Sequence, residues 1–208
     1  MSEDILKLSP LQLDALREIG NIGAGNAATA LSQLIKQKID MAVPEVSILP
    51  LGEVPEMVGG PDVMVAGVYL RVFGPAPGSI LFLLPRESAY YLVDMLMGRG
   101  HGETQLLNAM DESALMEIGN ILAGAYLNAL SHLTKLTLLP SIPALAIDMA
   151  GAILSVILCQ LGQVGDHALV IETEFTTDND GVKGHFFLIP DPGSLTIILA
   201  AIGVRDCG

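Results

Sequence analysis

One helical stripe occurs twice in this chain. Asp14-x-x-x-Glu18-x-x-Asn21-x-x-x-Gly25 returns as Ser113-x-x-x-Glu117-x-x-Asn120-x-x-x-Gly124, each position 99 residues further on. The agreement extends beyond the stripe. Glu18-Ile19-Gly20-Asn21-Ile22 is repeated at 117–121, Ala30-Leu31-Ser32 at 129–131, and Lys36 and Pro44 recur as Lys135 and Pro143. Steps of four and three place Asp14, Glu18 and Asn21 on one face of an α-helix. A chain with two such helices must bury two similar apolar faces. A pseudo-two-fold arrangement, with the helices side by side and both polar stripes outward, meets that demand.

The flanking residues give the rest of the pattern. Ser9-Pro10-Leu11-Gln12 is a helix start, with Ser9 as N-cap, Pro10 in the first turn and Gln12 completing a capping box. Leu13, Leu16, Ile19, Gly23, Ala27, Leu31 and Leu34 then recur at threes and fours, predicting a core-facing helix to about Lys38. Gly20, Gly23 and Gly25 each weaken it by about 1 kcal/mol relative to Ala. Close approach of another backbone explains them structurally, and clearance for a partner beside Asn21 explains them functionally. Strand-like runs follow at 43–50, 63–73 and 78–84, then a helix from Arg86 to Met97 that stops at Gly98. The glycine-rich stretch 98–104 separates the halves. Asn108 caps the second long helix, which has Asp111 in its first turn and should end near Leu136. Strands are predicted at 138–149, 152–161, 167–176 and 182–189, the last two as a hairpin around Thr177–Gly181. Leu81-Phe82-Leu83-Leu84-Pro85 matches Phe186-Phe187-Leu188-Ile189-Pro190, 105 residues on, so the second copy gains six residues, expected at that turn. The reading is an α+β, two-layer fold: one domain, 1–208, of two helix–three strands–helix repeats (about 9–98 and 108–203), with two long helices packed on a β-sheet.

Composition narrows the function. The chain is 51% apolar, with a mean hydropathy of +0.55. Its longest apolar stretch, Met149–Leu161, is well short of the roughly 20 residues a membrane helix needs. Met1-Ser2-Glu3-Asp4 does not resemble a secretory leader. The richness therefore predicts a large core and no membrane. A net charge of −13 disfavours nucleic acid. Cys159 and Cys207 form no framework, Cys159 is expected to be a buried thiol, and a cytoplasmic location follows.

The four histidines lack ligand spacing to one another or to a cysteine, so no metal site is expected. Gly20-x-x-Gly23-x-Gly25 lacks the G-x-G-x-x-G order and no strand precedes it, which excludes a dinucleotide loop. What remains is a carboxylate and a carboxamide one helical turn apart. An Asn amide both donates and accepts, so it holds a water in one orientation. A Glu pairs with a cation of another molecule. The pair suits a reaction catalysed mostly by positioning, such as attack of water on a phosphoryl group. A lone E-x-x-N is more often a solvated helix face.

The doubled D/S-x-x-x-E-x-x-N-x-x-x-G in an acidic chain resembles the CheC family of chemotaxis phosphatases, which includes CheX and FliY-type proteins, and is nearest to CheC. The resemblance runs from Leu8 to about Gly203. It implies hydrolysis of the aspartyl phosphate of the response regulator CheY. Asn21 and Asn120 would each orient the attacking water, Glu18 and Glu117 would each pair with a basic residue of CheY, and Asp14 and Ser113 would support them. Gly25 and Gly124 are expected to pack between the long helices. The chain would need no cofactor of its own, the Mg2+ being that of the CheY active site. The receptor deamidase CheD is the second implied partner, docking away from the stripes, with 97–107 the expected surface. The assembly would be a monomer or a heterodimer with CheD. The alternative is a non-catalytic adaptor that sequesters phosphorylated CheY or binds CheD.

Overall fold

The computed structural model describes residues 9–36, 38–43, 46–161, 167–176 and 181–202. The predicted caps set both long helices. For α1 (Pro10–Ile35), the Gln12 N–H donates to Ser9 Oγ and the Ser9 N–H donates to Gln12 Oε1. For α4 (Ala109–Thr134), Asn108 and Asp111 make the same reciprocal pair. Each helix is 26 residues long and ends at a left-handed lysine, Lys36 (φ 58°) or Lys135 (φ 59°). That residue breaks the hydrogen-bond ladder before the expected ends at Lys38 and Leu136. The departing chain is then caught by a hydroxyl of the last turn. Ile39 N–H donates to Ser32 Oγ at 2.9 Å, and Leu138 N–H donates to Ser131 Oγ at 3.4 Å.

Between the long helices lie β1 (Asp40–Ala42), β2 (Val46–Pro50), a 3-10 turn at Leu51–Glu53, the one-turn α2 (Val54–Met57), β3 (Met64–Phe73), β4 (Gly78–Pro85) and α3 (Arg86–Met97). Gly98 ends α3 with φ 66°, a conformation costly for other residues. After α4 come β5 (Leu139–Pro140), β6 (Ala144–Met149), α5 (Ala150–Leu161), β7 (His167–Thr176), β8 (Gly181–Pro190) and α6 (Ser194–Ala201).

The halves share one antiparallel sheet in the order β1-β7-β8-β4-β3-β5. Each half hands its first strands to the other. β1 and β2 pair with β7, while β5 and β6 pair with β3. The β4–β8 pair closes the middle. Neither half completes a sheet by itself.

Register corrects the sequence match between the last strands. Phe82 lies opposite Phe186, and both face the long helices. Leu81 and Phe187 lie opposite each other on the other face. Aligning Leu81 with Phe186 therefore joins residues of opposite faces, because strand side chains alternate. Nor does the added length sit at the hairpin, where four residues separate β3 from β4 and four separate β7 from β8. It precedes β7, where α5 stands in place of the short α2.

The run at 152–161, expected as a strand, is part of α5. It carries no charge, so helix and strand patterns are hard to tell apart from a short apolar run. Its buried positions, Ala150, Ile153, Leu154 and Ile157, nevertheless follow the helical period. They cover Leu81, Leu83, Phe187 and Ile189, adding a partial third layer on the face away from the long helices. Cys159 is exposed on this helix, not buried. Cys207, Pro44 and residues 177–180 lie outside the described residues.

The main core lies between the sheet and α1, α3, α4 and α6. It is filled by Leu16, Ala27 and Leu31 of α1, Leu115, Leu122 and Tyr126 of α4, and Ile80, Phe82 and Phe186 below them. Tyr126 stacks on Phe186 with centroids 4.2 Å apart. Leu34, expected inside, is exposed.

Candidate active site

The apolar faces of α1 and α4 are held down at Leu16, Ile19, Gly23 and Ala27, and at Leu115, Ile118, Leu122 and Tyr126. The opposite faces are thereby turned to solvent. Asp14, Glu18, Asn21 and Gly25 are all exposed on α1, and so are Ser113, Glu117 and Asn120 on α4, with Gly124 half-buried. Each Glu–Asn pair spans about 4.5 Å of helix rise. Its backbone is fixed inside a long helix, so the two Cα–Cβ bonds have a constant relative position. Ser113 is partly engaged already: its hydroxyl donates to the Ala109 carbonyl at 2.9 Å. Asp14 and Ser113 thus offer different groups at equivalent places.

The glycines divide into two kinds. A Cβ on Gly23 would lie 2.5 Å from Cδ1 of Tyr126, and one on Gly119 would lie 2.4 Å from Cγ1 of Val68. These are the packing glycines, one under each stripe. Gly25 and Gly124, expected to pack between the helices, have open space where a Cβ would be. Sequence spacing could not separate the two kinds, since both lie within four residues of a candidate Asn.

The connection between the halves is tied down by polar groups of which sequence reasoning singled out only Asp111, as a first-turn acid. Buried Asp94, on α3, accepts from the Gly102 N–H at 2.8 Å and the Thr104 N–H at 3.0 Å, and its carboxylate also meets the Thr104 hydroxyl. Arg99 reaches Thr104 Oγ1 at 2.8 Å and Asp111 Oδ1 at 2.7 Å. Burial alone would raise the Asp111 pKa. The Arg99 guanidinium and the Asn108 N–H outweigh it and hold the carboxyl below its usual value. The polarity of 98–104 was visible in the sequence, but its partners come from α3 and α4. On the far face, Arg71 makes a two-pronged pair with Asp191 and reaches Ser79 Oγ at 3.0 Å, pinning the segment before α6 to β3.

Among the described residues, no cluster of His, Cys, Asp and Glu is placed to hold a metal ion. Of the histidines, His185 is buried in β8 and His101 packs edge-on against Tyr91 at 4.7 Å. Among the described residues, no helix is long and apolar enough to cross a membrane.

The sequence profile described as the CheC-like family matches residues 11–48 and 110–147, two windows displaced by 99 residues that each contain one stripe. The chain is 43% identical over 196 residues to the CheY-P phosphatase CheC of Bacillus subtilis (strain 168), covering 92% of this chain and 94% of that protein. The crystal structure of Thermotoga maritima FliY superposes with a TM-score of 0.77 at 23% identity, covering 95% of this chain and 99% of that one. A structure of the CheX–CheY–BeF3–Mg2+ complex from Borrelia burgdorferi superposes with a TM-score of 0.51 at 16% identity, covering 81% of this chain and 96% of the matched one. Both likenesses are of fold.

Proposed function

The chain belongs to the CheC-like family, and from that premise we propose that it hydrolyses the aspartyl phosphate of the response regulator CheY. The observation that carries this reading is the pair of exposed Glu-x-x-Asn faces, held at equivalent positions on two helices of equal length. The identity of 43% to a CheY-P phosphatase across nearly the whole chain supports it.

In the proposed mechanism, a stripe docks on the regulator so that the Asn carboxamide lies beside the phosphoryl group. The Asn21 or Asn120 side chain accepts from and donates to one water, fixing its oxygen in line with the scissile P–O bond. The water oxygen bonds to phosphorus, the bond to the aspartyl oxygen breaks, and inorganic phosphate and a free aspartate result. Glu18 or Glu117 pairs with a basic group of the regulator and sets the approach. Asp14 and Ser113 support that docking. The divalent cation belongs to the CheY site, where it neutralises charge on the phosphoryl oxygens. We also propose CheD as a partner and a cytoplasmic setting, with the chain acting as a monomer or as a heterodimer with CheD. The 97–107 surface remains our placement for CheD. Leu106 is 83% exposed there, on a connection held rigid by Asp94, Arg99 and Asp111.

The test is the decay of phosphorylated CheY with substoichiometric protein. Each of Asn21→Ala and Asn120→Ala should lower turnover, and the double variant should lose it while keeping its thermal unfolding transition. A folded double variant that still turns over CheY phosphate would refute the Asn roles. Binding of phosphorylated CheY without turnover by the unsubstituted protein would favour an adaptor.

A further inference from the structure

Glycine inside a helix is unfavourable relative to alanine, and it persists where something requires a bare backbone. Gly23 and Gly119 are required by Tyr126 and Val68. Among the described residues nothing requires Gly25 or Gly124, since an added Cβ would have no neighbour within 4 Å at either. Both follow the candidate Asn by four residues, on the same stripe. A helical Cα–Cβ bond leans toward the N-terminus, so a side chain at either position would cover the turn that carries the Asn. Thr29 Oγ1 folds back to donate to the Gly25 carbonyl at 3.0 Å.

We propose that Gly25 and Gly124 are docking positions, left bare so that the phosphorylated response regulator can close against the helix backbone beside Asn21 and Asn120. This inference rests on the phosphatase reading. It assigns the two glycines to approach of the partner, a positioning role distinct from orienting water.

The test is Gly25→Ala with Gly124→Ala in the full chain, measured beside the unsubstituted protein. An open helical site that gains alanine becomes more stable, so the melting temperature should rise by roughly 4 °C or more for the pair. kcat/KM for phosphorylated CheY should fall roughly tenfold or more, mainly through KM, because the added methyl obstructs approach and leaves the reacting groups intact. A variant that melts higher and keeps its kcat/KM overturns the inference. So does one that melts lower, which would reveal a packing role. Absence of turnover in the unsubstituted protein would instead count against the phosphatase reading. In that event the docking role is read from the affinity for phosphorylated CheY, which the variant must weaken.

Discussion

Gly119→Ala should act oppositely to Gly25→Ala and Gly124→Ala, although it makes the same chemical change one residue from Asn120. Its new Cβ would lie 2.4 Å from Val68 Cγ1 and 2.9 Å from Val68 Cβ. Ordinary carbon contacts are about 3.5–4.0 Å, so the methyl is short by about 1 Å. A rotamer change of Val68 does not relieve this, because its Cβ is itself too close. That Cβ belongs to a strand with neighbours on both sides, Phe82 of β4 and Leu145 of β6 opposite Val68. α4 must therefore lift from the sheet. Overpacking costs about 1–3 kcal/mol, an overlap that no rotamer relieves falls in the upper part of that range at about 2–3 kcal/mol, and the better helix propensity of alanine offsets about 1 kcal/mol of it. A net loss of about 1–2 kcal/mol is expected in urea unfolding, from the midpoint at unchanged m-value. Adding Val68→Ala removes the two methyls nearest the clash, so the double variant should be more stable than the sum of the singles by about 1 kcal/mol. Displacement of this turn by about 1 Å should lower turnover at the Asn120 site about 100-fold and leave the Asn21 site working. A Gly119→Ala protein as stable as the parent, or more so, would refute the packing argument.

The remaining expectations concern the core and the connection. Phe186→Ala empties the place under Tyr126 and should cost about 3–5 kcal/mol by chemical denaturation; a loss below about 1 kcal/mol would show that Tyr126 does not rest on it. The Asp111 carboxyl is held below its ordinary value of 3.8, so the stability it contributes is complete above that pH and is lost as pH falls through the lowered value. Arg99→Met should therefore be less stable than the parent by a constant margin from about pH 7 to pH 5, with the margin closing below about pH 4. A margin that widens toward acid pH would contradict this ion pair.

Local chemistry in the sequence is enough to place the long helices. Ser9 with Gln12 and Asn108 with Asp111 start the long helices where predicted, and Gly98 stops α3, because caps act over a few residues. The outward stripe was legible for a similar reason: helical spacing alone puts Asp14, Glu18 and Asn21 together, and the long apolar face opposite decides which way they point. Three features depended on contacts between distant residues. Residues 152–161 fold as a helix because Leu81, Phe187 and Ile189 present an apolar face for Ala150, Ile153, Leu154 and Ile157 to cover. Phe82 matches Phe186, not Phe187, because sheet register assigns each strand residue to a face, and one residue of slip exchanges the faces. Gly23 and Gly119 differ from Gly25 and Gly124 only in whether Tyr126 or Val68 stands in front of them, since a glycine carries no side chain to record what it makes room for.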